Sequence, residues 1–235
     1  RLYTTALGIY QLYVNDQHIT QEYFSPGWTD YTKRIYYRTY DVTEILQNGD
    51  NAAVGAIIAD GWYAGYVGFG KQRNHYGHNL RLLCQLNIEY EDGTTQVLAT
   101  GPDWKALLGA IQQADFLQGE TYDAQKEMPG WSSANFDDSS WQSVTVGSDE
   151  VQPMVQAAVS EPVVEFENVK PISVSEPIPG CYVFNMGQNF AGVVQIRVKG
   201  KAGQTIQIRH AERLNPDGTI YTTNLRSAAA TDTYI

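Results

Sequence analysis

Apolar residues recur in this chain mainly at every second position, the period of a strand with one face in and one face out. The clearest run is "LRLLCQLNIEYEDGTTQVLAT". Leu82, Cys84, Leu86, Ile88 and Tyr90 share one face, while Arg81, Gln85, Asn87 and Glu89 point the other way. Asp92-Gly93 supplies the turn of a hairpin. "LGIYQLYVNDQHIT" reads as strand, Asn15-Asp16 turn and strand, and "RIYYRTYDV" as a further strand. "AAVGAIIA" has no alternation, and this predicts a central strand buried on both faces. Between them, "DVTEILQNGDN" predicts one turn of helix. Asp41 caps it, Glu44 stands three residues later as in a capping box, and Gly49 stops it.

From about residue 101 to 148 the alternation loosens into long loops with one or two closing strands. All five tryptophans (28, 62, 104, 131 and 141) precede residue 142. A proline-bearing stretch without glycine between Gly147 and Gly180 then reads as a linker containing an extended crossing strand. A second β unit follows. Val194, Ile196 and Val198 are expected to pair with Ile206 and Ile208 across a glycine-containing turn. "NPDGTIYT" gives another turn and strand, and "TDTYI" a strand at the end of the sequence. Such a unit leaves an unpaired edge. With a first strand that begins at once, this reads as a piece of a longer chain.

Composition agrees with the pattern. In 235 residues there are 16 tyrosines and 21 glycines, with 43% hydrophobic and 18% charged residues. That mixture favours short strands around a buried core over disorder. The expected class is all-β: a jelly-roll β-sandwich over 1–157, followed by part of a second β-sandwich over 158–235. A formal net charge of −10 argues against a nucleic-acid partner, which calls for a basic patch. No run approaches the roughly 18 apolar residues of a membrane helix, so no membrane partner is expected. No signal peptide is visible, and location stays open. The two cysteines, Cys84 and Cys181, lack the spacing of a metal site.

The richest stretch is "ADGWYAGYVGFGKQRNHYG". Residues 65–72 fit GxxxxGK by letter count, but Gln72 stands where Mg²⁺ binding needs Ser or Thr, and no helix follows. A phosphate loop is set aside. His75 and His78 read as surface loop residues. Glu120 and Asp123 form a carboxylate pair in sequence only, and glycoside chemistry needs two carboxylates across a scissile bond. Sugars are recognised by flat rings beside hydrogen-bonding side chains. Asp60, Trp62, Tyr63, Tyr66, Lys71, Gln72, Arg73, Asn74, His75 and Tyr76 supply such a set. Core packing of Trp62 and Tyr63 is the competing account.

"LGIYQLYVN", "YFSPGWTDYTKRIYYRTYDVTEIL", "IIADGWYAG" and "QGETYDAQKEMPGWSSANFDDSSW" together resemble the N-terminal accessory domain of bacterial α-L-rhamnosidases, glycoside hydrolase family 78. "YVFNMGQNFAGVVQIRVKGKAGQTIQIRHAERLNPDGTIYTTNLRSAAATDTYI" resembles the concanavalin-like sandwich that follows it. The resemblance implies a galactose-binding-like jelly roll, L-rhamnose-containing glycosides as partners, and an (α/α)6 catalytic barrel further along the same protein. Inverting hydrolysis by two glutamates of that barrel would leave no catalytic residue here. No cofactor is required on this reading. Calcium enters through some family members, with Asp60 and Asp30 as the oxygen ligands a hard cation would choose.

Overall fold

The computed structural model describes residues 1–47, 52–147 and 151–235. In chain order its strands are β1 (Leu2–Leu7), β2 (Ile9–Val14), β3 (Gln17–His18), β4 (Arg34–Tyr40), β5 (Val54–Ala59), β6 (Arg81–Glu89), β7 (Thr95–Ala99), β8 (Lys105–Ala106), β9 (Ile111–Asp115), β10 (Gly119–Tyr122), β11 (Gln142–Ser143), β12 (Met154–Ala157), β13 (Ser173–Ile178), β14 (Cys181–Asn185), β15 (Ile206–Arg209), β16 (Arg213–Leu214), β17 (Ile220–Tyr221) and β18 (Thr231–Tyr234). Two short helices interrupt them, α1 (Thr43–Gln47) and α2 (Gly61–Ala64). Among the described residues no helix is long and apolar enough to cross a membrane.

The architecture is all-β. One sheet has the order β12-β4-β1-β6-β7 and a second β3-β2-β5. The main core lies where they face. Leu2, Ala6, Cys84 and Leu86 come from the first sheet, and Tyr10, Leu12 and Val14 from the second, with Val42 beside them. The alternation read from β6 holds here: Cys84 and Leu86 are buried, while Gln85 and Asn87 face out. The chain passes from β1 into the opposite sheet through Gly8, at φ 129°. A Cβ at this position would lie 2.5 Å from the Ala59 carbonyl oxygen, so both the dihedral and the close approach call for glycine.

Several local expectations hold. Asn15 and Asp16 take φ 49° and 62°, the left-handed pair that closes a tight hairpin. Gly93 sits at φ 82° in the β6–β7 turn, where the Asp92 carboxylate accepts the Thr94 N–H at 2.9 Å. The Asp41 carboxylate likewise accepts the Thr43 N–H at 3.1 Å at the start of α1. Gly49, the expected stop, lies outside the described residues. The linker contains a crossing strand: β12 runs parallel to β4, with Val155 opposite Ile35.

Three expectations are corrected. The apolar run 52–59 contains β5, an edge strand that among the described residues pairs only with β2. Its residues are half-buried, and Ile58 is 38% exposed. Continuous apolarity reflects contact with neighbouring loops, including the Trp131 ring against Gly55. Second, residues 194–198 form no strand, and Ile206 and Ile208 instead pair with Tyr234 and Asp232 of β18. Third, the 101–148 segment carries four short strands, β8 to β11. Two of these belong to a further sheet, β15-β18-β10-β9, in which β10 and β18 run parallel. This sheet joins the early and late parts of the chain directly. Gly119, at φ 102°, makes the junction possible, because its missing Cβ would collide with the Thr231 carbonyl.

Candidate functional site

The end of β5 turns immediately into α2, and this turn places Trp62 at the surface above a small second core. That core consists of Leu7, Tyr31, Ile35, Tyr63 and Ala64, with Trp62 and Tyr76 against it. Tyr63 is 1% exposed and meets Tyr31 edge-on at 5.5 Å. Of the predicted sugar-facing residues, Tyr63 is therefore a core residue in position.

Trp62 occupies the centre of an aromatic cluster. The Phe116 ring stacks on it at 4.3 Å, and Phe24 meets it edge-on at 6.0 Å. Trp28 lies nearly parallel to it, centroids 5.7 Å apart and planes 6° apart. Trp28 is 55% exposed, and its indole N–H reaches the Tyr76 hydroxyl at 3.4 Å. Tyr76 in turn packs edge-on against Tyr31 at 5.0 Å. The loop carrying Phe24 and Trp28 includes a cis Ser25-Pro26 peptide and a left-handed Gly27.

The polar candidates sit on the neighbouring loop. Asp60 is ion-paired with Arg73, whose Nε also donates to the Ala64 carbonyl at 3.3 Å. The Arg73 guanidinium lies 5.9 Å from the Tyr66 ring centroid. Asn74 is exposed, and its backbone N–H donates to the Ala64 carbonyl at 3.1 Å. The stretch 67–72 closes on itself as a small hairpin through a Val67–Gln72 bridge. His75 and His78 are exposed loop residues, with His75 edge-on to Tyr76. Asp60, Tyr66 and Arg73 also border a cleft of about 2200 Å³ that runs between β5, β6 and the 98–147 segment. That exceeds the ~300–1000 Å³ of ordinary ligand pockets, as an open groove between sheets does. The structure thus splits the predicted set. Trp62 and Tyr76 join the platform, Asp60 and Tyr66 border the groove, Asn74 stands on the loop and Tyr63 lies beneath.

Asp115 ties these pieces together. One carboxylate oxygen accepts the Tyr66 N–H at 2.7 Å, and the other accepts the N–H groups of Leu117 at 2.8 Å and Gln118 at 2.9 Å. It therefore fixes the root of the 66–73 loop and the turn that presents Phe116.

The two acidic residues considered for calcium are engaged elsewhere. Asp30 accepts from the Thr32 N–H at 3.1 Å and pairs with Lys33 at 3.1 Å. The Thr32 hydroxyl beside it, with Lys33, holds its carboxyl below the usual range. Asp60 is held by Arg73. Among the described residues no group of three or more His, Cys, Asp or Glu is arranged to hold a metal ion. Glu120 and Asp123 diverge: Asp123 caps the turn at Gln125, while Glu120 lies beside Asp232 of β18. Burial, and then the Asp232 charge, push the Glu120 carboxyl up.

Phe24, Trp28 and Phe116 were not singled out from sequence. A weak signal existed for Trp28, which follows Pro26-Gly27 in a turn that turns an aromatic outward. Phe116 gave none, because its contact to Trp62 is made only by the fold.

Fold and surface together define a β-sandwich module bearing an aromatic platform. Residues 1–175 match the family described as the alpha-L-rhamnosidase N-terminal domain, and residues 176–235 match the bacterial alpha-L-rhamnosidase concanavalin-like domain. The chain belongs to the α-L-rhamnosidase family. It is 51% identical over its whole length to an alpha-L-rhamnosidase of Streptomyces avermitilis and 39% identical to one of Alteromonas sp.. It spans 22% and 25% of those proteins. A crystal structure of the Streptomyces avermitilis enzyme complexed with L-rhamnose superposes with a TM-score of 0.95, at 50% identity, covering 99% of this chain and 22% of that one. The Dictyoglomus enzyme, at 34% identity, gives 0.90 over all of this chain and 26% of that one.

Proposed function

We propose that this chain is the non-catalytic N-terminal portion of an α-L-rhamnosidase that hydrolyses terminal α-L-rhamnosides, and that its Trp28–Trp62 platform contacts the sugar. The reading places a jelly-roll sandwich over 1–157, the start of the concanavalin-like sandwich over 158–235, and the catalytic barrel elsewhere in the same protein. The observation that carries it is the near-parallel indole pair, with Trp28 more than half exposed beside the Tyr76 hydroxyl. A flat apolar face accepts the C–H face of a sugar ring, and a hydroxyl at its rim bonds the ring's own hydroxyls. An exposed aromatic cluster of this kind marks a contact surface.

Titration of the chain with L-rhamnose tests this. Saturable heat that disappears in Trp28→Ala supports a sugar contact; a flat isotherm up to about 10 mM, beyond the ~4 kcal/mol affinity range, removes it. EDTA in a parallel titration tests calcium: heat lost on chelation supports Asp60 or Asp30 as an oxygen ligand, and an unchanged isotherm removes it.

The contact of Trp62 with the Tyr31–Tyr63 core favours a second reading, a structural spacer without a sugar site. On that reading Trp62→Ala lowers stability and no substitution in the cluster alters any affinity.

A further inference from the structure

We propose that Glu22 is the positioning residue of the platform: it ties the loop that carries Phe24 and Trp28 to a buried pair of tyrosines, and so holds Trp28 parallel to Trp62. Its effect on affinity rests on the platform being the sugar contact; its effect on the loop does not.

Glu22 is half-buried. Its Oε1 accepts two hydroxyls, from Tyr40 at 2.6 Å and from Ser25 at 2.9 Å. Tyr40 belongs to β4 of the first sheet and Tyr10 to β2 of the second, and their hydroxyls lie 3.0 Å apart. The Ser25 carbonyl accepts the Tyr10 N–H at 2.9 Å. The direction of the chain of bonds is fixed. Burial pushes both phenols up, and for Tyr40 the neighbouring Tyr10 and Glu22 add to it, so both keep their protons. A carboxylate only accepts. Tyr40 therefore gives its one proton to Glu22, and the Tyr10 proton lies between the Tyr40 oxygen and the Thr4 carbonyl, 3.2 Å away. The two sheets and the loop thus meet at one carboxylate oxygen.

The loop needs such a hold. Phe24 takes φ 63°, a left-handed conformation that a bulky side chain keeps only when its surroundings impose it. The Glu22–Ser25 bond spans Phe24, and Ser25 is 2% exposed. The Gly27 N–H then donates to the Phe24 carbonyl at 2.8 Å, which turns the chain toward Trp28. In this conformation Phe24 meets Trp62 edge-on at 6.0 Å and Phe116 at 5.0 Å. Trp28 has weak holds of its own, the stack on Trp62 and a 3.4 Å bond to the Tyr76 hydroxyl. Without Glu22, relaxation of Phe24 to negative φ carries Trp28 away from Trp62. A flat surface held in its binding shape before the sugar arrives binds more tightly than one that must be ordered on contact. Tyr23 is anchored separately, by its N–H to the Val163 carbonyl at 2.7 Å and its hydroxyl to Glu165, so the start of the loop stays in place when Glu22 is changed.

The test uses the 235-residue chain and two readouts, the indole N–H resonances of its five tryptophans and calorimetry with L-rhamnose. The Trp28 resonance is assigned by its loss in Trp28→Phe. In Glu22→Ala it should move toward that of a hydrated indole, and Trp62 with it, while Trp104, Trp131 and Trp141 keep theirs. Rhamnose should bind about tenfold more weakly. Glu22→Gln retains an oxygen for both hydroxyls and should recover most of what Glu22→Ala loses. If Glu22→Ala does not fold, Ser25→Ala removes one arm of the tether and should move Trp28 in the same direction by less. An unmoved Trp28 resonance overturns the proposal, and so does equal movement of all five, which would make Glu22 a support of the fold at large. A Trp28 resonance that moves, in a chain whose parent gives no heat with rhamnose, leaves the tether standing and removes the sugar contact.

Discussion

The indole of Trp28 lies nearly parallel to that of Trp62, 5.7 Å between centroids, yet the two differ in burial. Trp28 stands mostly in solvent, whereas Trp62 is pressed between Phe116 and the Tyr31–Tyr63 core. On the proposed sugar contact, the pair therefore separates recognition from stability. Trp28→Ala should leave the unfolding midpoint within about 0.5 kcal/mol of the parent, as expected of a surface substitution, while removing sugar affinity. Trp62→Ala should cost about 2 to 3 kcal/mol, below the full cost for a completely buried tryptophan. Urea denaturation of both variants, beside rhamnose titration, checks the contrast.

Gly8 is expected to tolerate no side chain. Its φ of 129° and its approach to the Ala59 carbonyl leave an alanine both strained and overpacked. Gly8→Ala should cost at least about 2 kcal/mol, read by chemical denaturation. A cost near zero would mean that β1 and β2 enter their two sheets by another path.

His18 gives the stability a pH dependence. The Thr20 hydroxyl oxygen accepts the Leu12 N–H at 3.2 Å, so its own O–H is free to donate to Nε2 of a neutral His18 at 2.8 Å. A protonated ring cannot accept that O–H, and the Thr20 hydroxyl must turn its hydrogen elsewhere. Burial lowers the His18 pKa from 6.5, partly offset by Glu22. A histidine with a depressed folded pKa contributes stability that is present above the unfolded value and is lost as pH falls from about 6.5 through the folded one. Unfolding midpoints of the parent should fall across that window, and those of His18→Gln should fall less.

Much of the fold was legible because local chemistry decided it. The alternation in β6, the Asn15-Asp16 turn and the Asp41 cap each depend on residues close in sequence. The misreadings share a different cause. β5 is apolar because loops such as that of Trp131 cover it, and Ile206 and Ile208 find β18 because a strand from the early part of the chain, β10, is there to complete the sheet. Both are long-range facts with no periodic signature. The same limit applied at the site. The Asp60–Tyr76 stretch was visible as sugar-like chemistry, but its platform needs Trp28 and Phe116, which only the fold brings near.

Asp115 offers the sharpest test of how these pieces are held. Its two oxygens accept three backbone N–H groups, from Tyr66, Leu117 and Gln118, and its environment is partly buried. Asp115→Ala leaves all three donors without that acceptor. Hydrogen bonds to a charged group are worth about 1.5 to 3 kcal/mol each, and water recovers part of that at a half-buried site, so a net loss of about 3 kcal/mol is expected. Asp115→Asn keeps one good acceptor oxygen but replaces the other with a donor that meets an N–H head-on. It should fall between the two. Beyond stability, the loss is directional: the Phe116 turn and the 66–73 hairpin are both released, so tryptophan fluorescence from the stacked Trp62 should shift toward that of a hydrated indole, and hydrogen exchange should rise at Tyr66, Leu117 and Gln118 while the β1–β6 core stays protected. Uniform exchange across the whole sandwich would show instead that Asp115 supports the fold at large and not this surface in particular.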